Sequence, residues 1–243
     1  MHASSEQIMA KMTEHTLRKF DTELQEIRRG VLQMGGLVEA QVTKALDGLR
    51  SGDIELLEAV IQGDKEVNLA QIKLDDACTH IIARQQPAAG DLRLVLATIK
   101  AASDLERIGD EAKKIAKAAR RLHQSEVKFT PRVGLSQATD IAIEMLRTAL
   151  DAFARVNADN IDEMRRKDAE VDSGFKGIMR QLITYMMEDP RTISNSLEML
   201  FIAKSIERIG DHAMNIAEHV VYVAHGQDVR FEKSQAAALG DKR

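Results

Sequence analysis

Glu106 and Asp110 stand four residues apart, and so do Glu207 and Asp211. Residues at i and i+4 share one face of a helix, so each pair sets two like charges side by side. Unrelieved, that arrangement costs its helix roughly 0.2–0.5 kcal/mol, and writing it twice points to something cationic that offsets the repulsion. Asp168 and Asp172 repeat the spacing, while Asp64 is followed at the same distance by Asn68. If the segments holding these residues pack as antiparallel neighbours, their acidic faces meet across a groove. Four oxygen ligands on two rigid rods suit a hard cation such as Mg, Mn, Ca or iron. Zinc fits poorly, because no Cys or His recurs at the site and His212 has no counterpart in the first half. The ordinary alternative is a solvated face on which Arg107 and Arg208 form weak surface ion pairs.

The repetition extends well beyond the carboxylates. Residues 106–116 and 207–217 are identical at eight of eleven positions, sharing the block E-R-I-G-D. Upstream, Asp64-Lys65-Glu66-Val67-Asn68 matches Asp168-Ala169-Glu170-Val171-Asp172, and Ala45-Leu46-Asp47 matches Ala149-Leu150-Asp151. Three blocks in the same order, with an offset drifting only from 104 to 101, define a tandem duplication. Gly109 and Gly210 fall inside the repeated block, where Gly weakens a helix, so the pattern predicts close approach of a neighbouring helix.

The elements that must position these residues are helices. Aromatics are 3% of the 243 residues, Trp is absent and only three prolines occur, which is poor material for a β-sandwich. Apolar residues recur at three- and four-residue spacing, as in Leu92, Val95, Leu96, Ile99 and in Leu197, Leu200, Phe201. Pro87 and Pro190 break the halves at matching places, and Pro131 falls between them. Helices are therefore expected over about 15–50, 54–85, 89–122, 133–157, 159–187 and 193–224. The fold class is all-α, a tandem duplication of an elongated three-helix bundle. A tail over 1–14, a first repeat over 15–125, a second over 131–225 and a frayed tail over 226–243 complete the expected organisation. Gly35-Gly36 is an expected weak point of the first helix.

Composition narrows the function classes. The net charge of -4 argues against a general nucleic-acid binder, and the single Cys78 excludes an intrachain disulfide. No leader or membrane-length apolar run is visible, so a cytoplasmic location is expected, with any membrane contact through partners.

Tandem three-helix repeats, each with D-x-x-[VI]-[DN] on the middle helix and E-R-[IA]-G-D on the last, resemble the PhoU proteins. The resemblance spans about residues 15 to 225. It implies a non-enzymatic, homodimeric regulator of phosphate homeostasis. Such a protein links the phosphate ABC transporter, through its ATPase subunit, to a phosphate-sensing histidine kinase. It represses the phosphate-starvation response and restrains uptake when phosphate is plentiful. The family binds metal through paired E/D-x-x-x-D motifs, which on this chain match Glu106, Asp110, Glu207 and Asp211, with Asp64, Asn68, Asp168 and Asp172 opposite. The expected ion is divalent or iron-type, Mg, Mn or Fe. Asn68 departs from the acidic pattern, so the second-half site is expected to bind more tightly.

Two rival readings carry less. A carboxylate-bridged metalloenzyme on a helical bundle would use E-x-x-H motifs, and no His here follows a Glu by three. A phosphotransfer bundle would use His80, but Ile81 follows it where an acidic residue belongs. The remaining histidines are expected to be mostly solvated. The methionines Met179, Met186, Met187 and Met199 are read as core filling. The basic run Lys113, Lys114, Lys117, Arg120 and Arg121 is read as a solvated face complementing the helix dipole, with an acidic partner as the sharper alternative.

Overall fold

Asp53 opens the second helix by accepting a hydrogen bond from the Leu56 N–H at 3.0 Å, the standard N-cap solution for an orphan donor. Just before it, Gly52 adopts φ +76° and ends the first helix, as glycine readily does. Such local stops divide the chain of this computed structural model, which describes residues 5–126 and 133–227, with side chains from Arg18 onward. Its elements are α1 (Ser5–Ser51), α2 (Ile54–Gln85), α3 (Ala89–Gln124), α4 (Leu135–Arg155), α5 (Ile161–Glu188) and α6 (Ile193–His225). A 3-10 turn over Pro190–Thr192, capped by Asp189, leads into α6, and no strand occurs among the described residues.

The observed spans follow the periodicity closely, with two corrections. α1 begins at Ser5 rather than near 15, because Met, Ala, Lys and Glu continue upstream with no Pro or Gly to stop them. It also runs unbroken through Gly35-Gly36. Gly35 is needed there for packing: a Cβ on it would lie 2.5 Å from Leu150 Cδ2 of α4. The expected break at Pro131 and the C-terminal tail from 228 onward lie outside the described residues.

α1, α2 and α3 pack on one another as the first bundle, and α4, α5 and α6 as the second. α3 and α6 make the most extensive contact of all and join the repeats, helped by a smaller α1–α4 contact. Ion pairs Glu111–Arg208 and Glu198–Arg121 show that α3 and α6 run antiparallel. Sixteen of the 36 residues of α3 are buried, too many for one stripe, because α1, α2 and α6 cover it on several sides. Its buried alanines at 97, 101, 102, 112, 116, 118 and 119 keep that many-sided contact close.

The duplication is visible in packing as well as in sequence. Gly109 of α3 faces Val67 and Gln41, and Gly210 of α6 faces Val171 and Met145, the residues 104 positions further along. Of the methionines read as core filling, Met199 is buried, Met179 and Met186 are half-buried and Met187 is 80% exposed, while Met34, Met145 and Met164 are core residues. No helix among the described residues is long and apolar enough to cross a membrane.

Candidate metal centre

In the second repeat, α5 and α6 place Asp172, Glu207 and Asp211 so that a carboxylate oxygen from each lies within 4.8 Å of the others. Asp172 and Glu207 are half-buried and Asp211 is more open. The i, i+4 spacing on α6 aligns its pair, and the antiparallel α5 brings Asp172 opposite them. Asp168, one turn earlier on α5, is half-buried and close enough to act on Asp211 electrostatically. Burial, then Glu207, Asp168 and Asp172, push the Asp211 carboxyl up to about 6, with Lys204 opposing. Lys204 pairs with Glu207 along its own helix and rests 5.3 Å from the Phe175 ring centre. An all-oxygen donor set that crowds like charges in this way fits a hard divalent cation.

The first repeat is built differently at the matching place. Asp64 of α2, with a side chain 7% exposed, accepts from Lys113 Nζ of α3 at 2.6 Å. Asn68 turns its Nδ2 toward the same Asp64 oxygen at 3.5 Å, leaving its own Oδ1 buried without a partner. Glu106 and Asp110 are half-buried on α3, and Glu106 also meets Arg107 at 3.6 Å. Burial, followed by Asp110, raises the Glu106 carboxyl, with Arg107 pulling the other way. The hydrogen bond to Asp64 raises the Lys113 ammonium, and the charges of Asp64, Asp110 and Glu106 add to it. Among the described residues, only the second-repeat trio brings three carboxylate oxygens together as described.

Four of the five residues of the basic run have carboxylate partners within the chain. Lys113 is bound to Asp64, Lys114 to Glu111, Arg120 to Glu58 and Arg121 to Glu198. Three of these four partners come from α2 and α6, so part of the run ties α3 to its neighbours. His80 is exposed and its Nδ1 donates to the Asp76 carbonyl of its own helix at 2.8 Å. Cys78 is buried, and burial followed by the Asp75 charge pushes its thiol up to about 12, so it stays an inert thiol.

One cluster escaped the sequence reading. Asp104 of α3 accepts from His212 Nδ1 at 2.9 Å, from Asn215 Nδ2 at 3.1 Å and from His219 Nε2 at 2.9 Å. His219, with a side chain 7% exposed, is an exception to the expectation that most histidines are solvated, whereas His123 and His225 are exposed. Burial pushes the Asp104 carboxyl up, but the three hydrogen bonds together outweigh it and hold the group at about 2. The sequence does carry a signal for this: His212, Asn215 and His219 fall at i, i+3 and i+7, one face of α6.

Comparison with known proteins agrees with this architecture. The PhoU domain family model matches residues 31–119 and 135–220, once in each repeat. A phosphate-specific transport system accessory protein PhoU from Serratia marcescens is 48% identical over 221 residues, covering 90% of either chain. The crystal structure of PhoU from Pseudomonas aeruginosa superposes with a TM-score of 0.81 at 43% identity, covering 86% of this chain and all of that one. That of the phosphate transport system regulatory protein PhoU from Streptococcus pneumoniae gives 0.80 at 32% identity, covering 86% of this chain and 99% of that one. These are accessory and regulatory proteins, not enzymes, and neither the metalloenzyme nor the phosphotransfer reading is retained. The match in both repeats, over nine-tenths of a relative's length, shows that this chain belongs to the PhoU family.

Proposed function

We propose that this chain is a cytoplasmic, homodimeric regulator of phosphate homeostasis. It connects the phosphate ABC transporter, at its ATPase subunit, to the phosphate-sensing histidine kinase. It represses the phosphate-starvation response and restrains uptake when phosphate is plentiful. The observation that carries this is the 48% identity, over nine-tenths of both chains, to an accessory protein of the phosphate-specific transport system.

The acidic groove of the second repeat is its ion-binding element. Asp172, Glu207 and Asp211 would hold a Mg, Mn or iron-type divalent ion, with Asp168 adding negative charge beside it. A bound cation there would relieve the crowding of carboxylates and fix α5 and α6 in register. The face those two helices present would then be set for partners.

The test is a phosphate-starvation reporter in high phosphate, in the source bacterium lacking this gene. Deletion is expected to switch the reporter on, and the wild-type gene to silence it again. A reporter that stays silent on deletion would sink the regulatory reading. Complementation with the Glu106→Ala, Asp110→Ala, Glu207→Ala, Asp211→Ala variant then tells whether the acidic grooves serve signalling.

A further inference from the structure

The two acidic grooves occupy matching places in the repeats but are not chemically equivalent. Glu106, Gly109 and Asp110 correspond to Glu207, Gly210 and Asp211 at an offset of 101, and the same offset pairs Lys113 with Met214. The correspondence is physical, because the matching residues Val67 and Val171 face the two glycines. At the first position an ammonium reaches across from α3 to α2 and sits 2.6 Å from the buried Asp64. At the second position stands a thioether, 5% exposed and uncharged.

We infer that Lys113 is a tethered cation that closes the acidic groove of the first repeat, so that each chain carries one exchangeable divalent-cation site, in the second repeat, rather than one in each. This rests on the metal-binding part of the reading above. The first groove holds Asp64, Glu106 and Asp110 together with an ammonium that is covalently part of the wall. A divalent ion entering it would have to displace Lys113 from Asp64 or lie beside a like charge. The second groove holds Asp168, Asp172, Glu207 and Asp211. Its nearby Lys204 bonds Glu207 at i+3 from the same helix and leans on Phe175. With Lys204 so placed, the oxygens of Asp172, Glu207 and Asp211 still converge within 4.8 Å.

The unpartnered Oδ1 of Asn68 shows what Lys113 forecloses. It is a buried acceptor in the first groove with no donor, beside Asp64. With the ammonium removed, it could join Asp64, Glu106 and Asp110 as an oxygen ligand.

The experiment counts Mn2+ bound per chain, from the free-ion electron paramagnetic resonance signal, on full-length protein first stripped with chelator. Wild type should bind one ion per chain, Lys113→Arg one, and Glu207→Ala/Asp211→Ala none. Lys113→Met, which copies the second repeat, should bind two. Because Lys113→Met leaves Asp64 without its buried partner, Lys113→Gln serves as the second variant, and circular dichroism establishes that each is helical. Wild type binding two ions would overturn the inference and leave the metal reading standing. So would one ion that survives Glu207→Ala/Asp211→Ala, since that ion would lie in the first groove. A folded Lys113→Met or Lys113→Gln that both stay at one ion would also overturn it. No ion in wild type and none in any variant would instead remove the metal reading, and the inference with it.

Discussion

His219 of α6 donates from Nε2 to Asp104 Oδ2 of α3 at 2.9 Å, with the two side chains only 7% and 13% exposed. This bond lies on the seam between the repeats, where the same carboxylate also accepts from His212 and Asn215. Beside the ion pairs Arg121–Glu198 and Glu111–Arg208, much of the seam is buried alanine and other apolar side chains, and an apolar surface by itself tolerates sliding of one helix along the other. A carboxylate that must satisfy three fixed donors does not, so Asp104, together with those ion pairs, sets the register of α3 against α6.

Replacing Asp104 with Asn should therefore cost far more than a surface change. One amide cannot accept from three donors, and a buried polar group left without its partner costs about 1–3 kcal/mol, more where a charge is lost. We expect a loss of about 2–4 kcal/mol, or roughly 4–16 °C in Tm for a chain of this size. The pH dependence follows from the carboxyl being held at about 2 against an ordinary 3.8. A depressed carboxyl contributes stability that is complete above pH 3.8 and lost as pH falls toward 2. Urea unfolding should thus show wild type the more stable protein above pH 4, with the part of the gap that comes from the Asp104 charge starting to close below pH 4.

Asp211 predicts the opposite sign. Its carboxyl is raised to about 6, so the fold favours the protonated form, and wild type loses stability as pH rises from 3.8 through 6. Asn cannot ionise and escapes that loss. With chelator present, Asp211→Asn should be the more stable protein at pH 7.5. Because Asp211 is more than a third exposed, solvent screening trims the gain to the order of 1 kcal/mol, about 2–4 °C. The gain should vanish by about pH 4. Adding Mn2+ at pH 7.5 should raise the Tm of wild type and leave the variant nearly unmoved. Equal shifts in both would separate Asp211 from the ion site.

The helical duplication was legible because it is a local and repeated property. Apolar spacing marks α3 and α6, and the paired E-R-I-G-D blocks mark which residues occupy matching places. What failed to show depended on helix register. Lys113 reads as one charge in a basic run until α2 is laid antiparallel against α3, which puts Asp64 beside Lys113 and Glu58 beside Arg120. The Asp104 cluster joins residues 108 to 115 positions apart, a separation at which spacing within one helix says nothing about the partner. Asp172 repeats with Asp168 the i, i+4 pattern of Glu207 and Asp211, and the packing of α5 on α6 brings its carboxylate within 4.8 Å of theirs.

The glycines separate packing from inheritance. Repetition of Gly109 and Gly210 predicts close approach in both repeats, yet the two differ. A Cβ on Gly109 would lie 3.3 Å from Val67 Cγ1, whereas one on Gly210 would meet Met145 Sδ and Val171 Cγ1 at 3.7 Å, an ordinary contact. Gly36, on α1, has nothing within 4 Å of such a Cβ, while its neighbour Gly35 would collide with Leu150. Gly in a helix interior costs about 0.5–1 kcal/mol relative to Ala. Gly36→Ala and Gly210→Ala should each recover about that much, a rise of roughly 1–4 °C in Tm. Gly109→Ala should gain less, since Val67 must shift to admit the methyl group. Gly35→Ala should destabilise, because Leu150 can move only by giving up its place in the α1–α4 contact between repeats. Thermal unfolding of the four variants decides the matter. If Gly210→Ala lost stability as Gly35→Ala does, α6 would be packed more tightly against α4 and α5 than these distances allow.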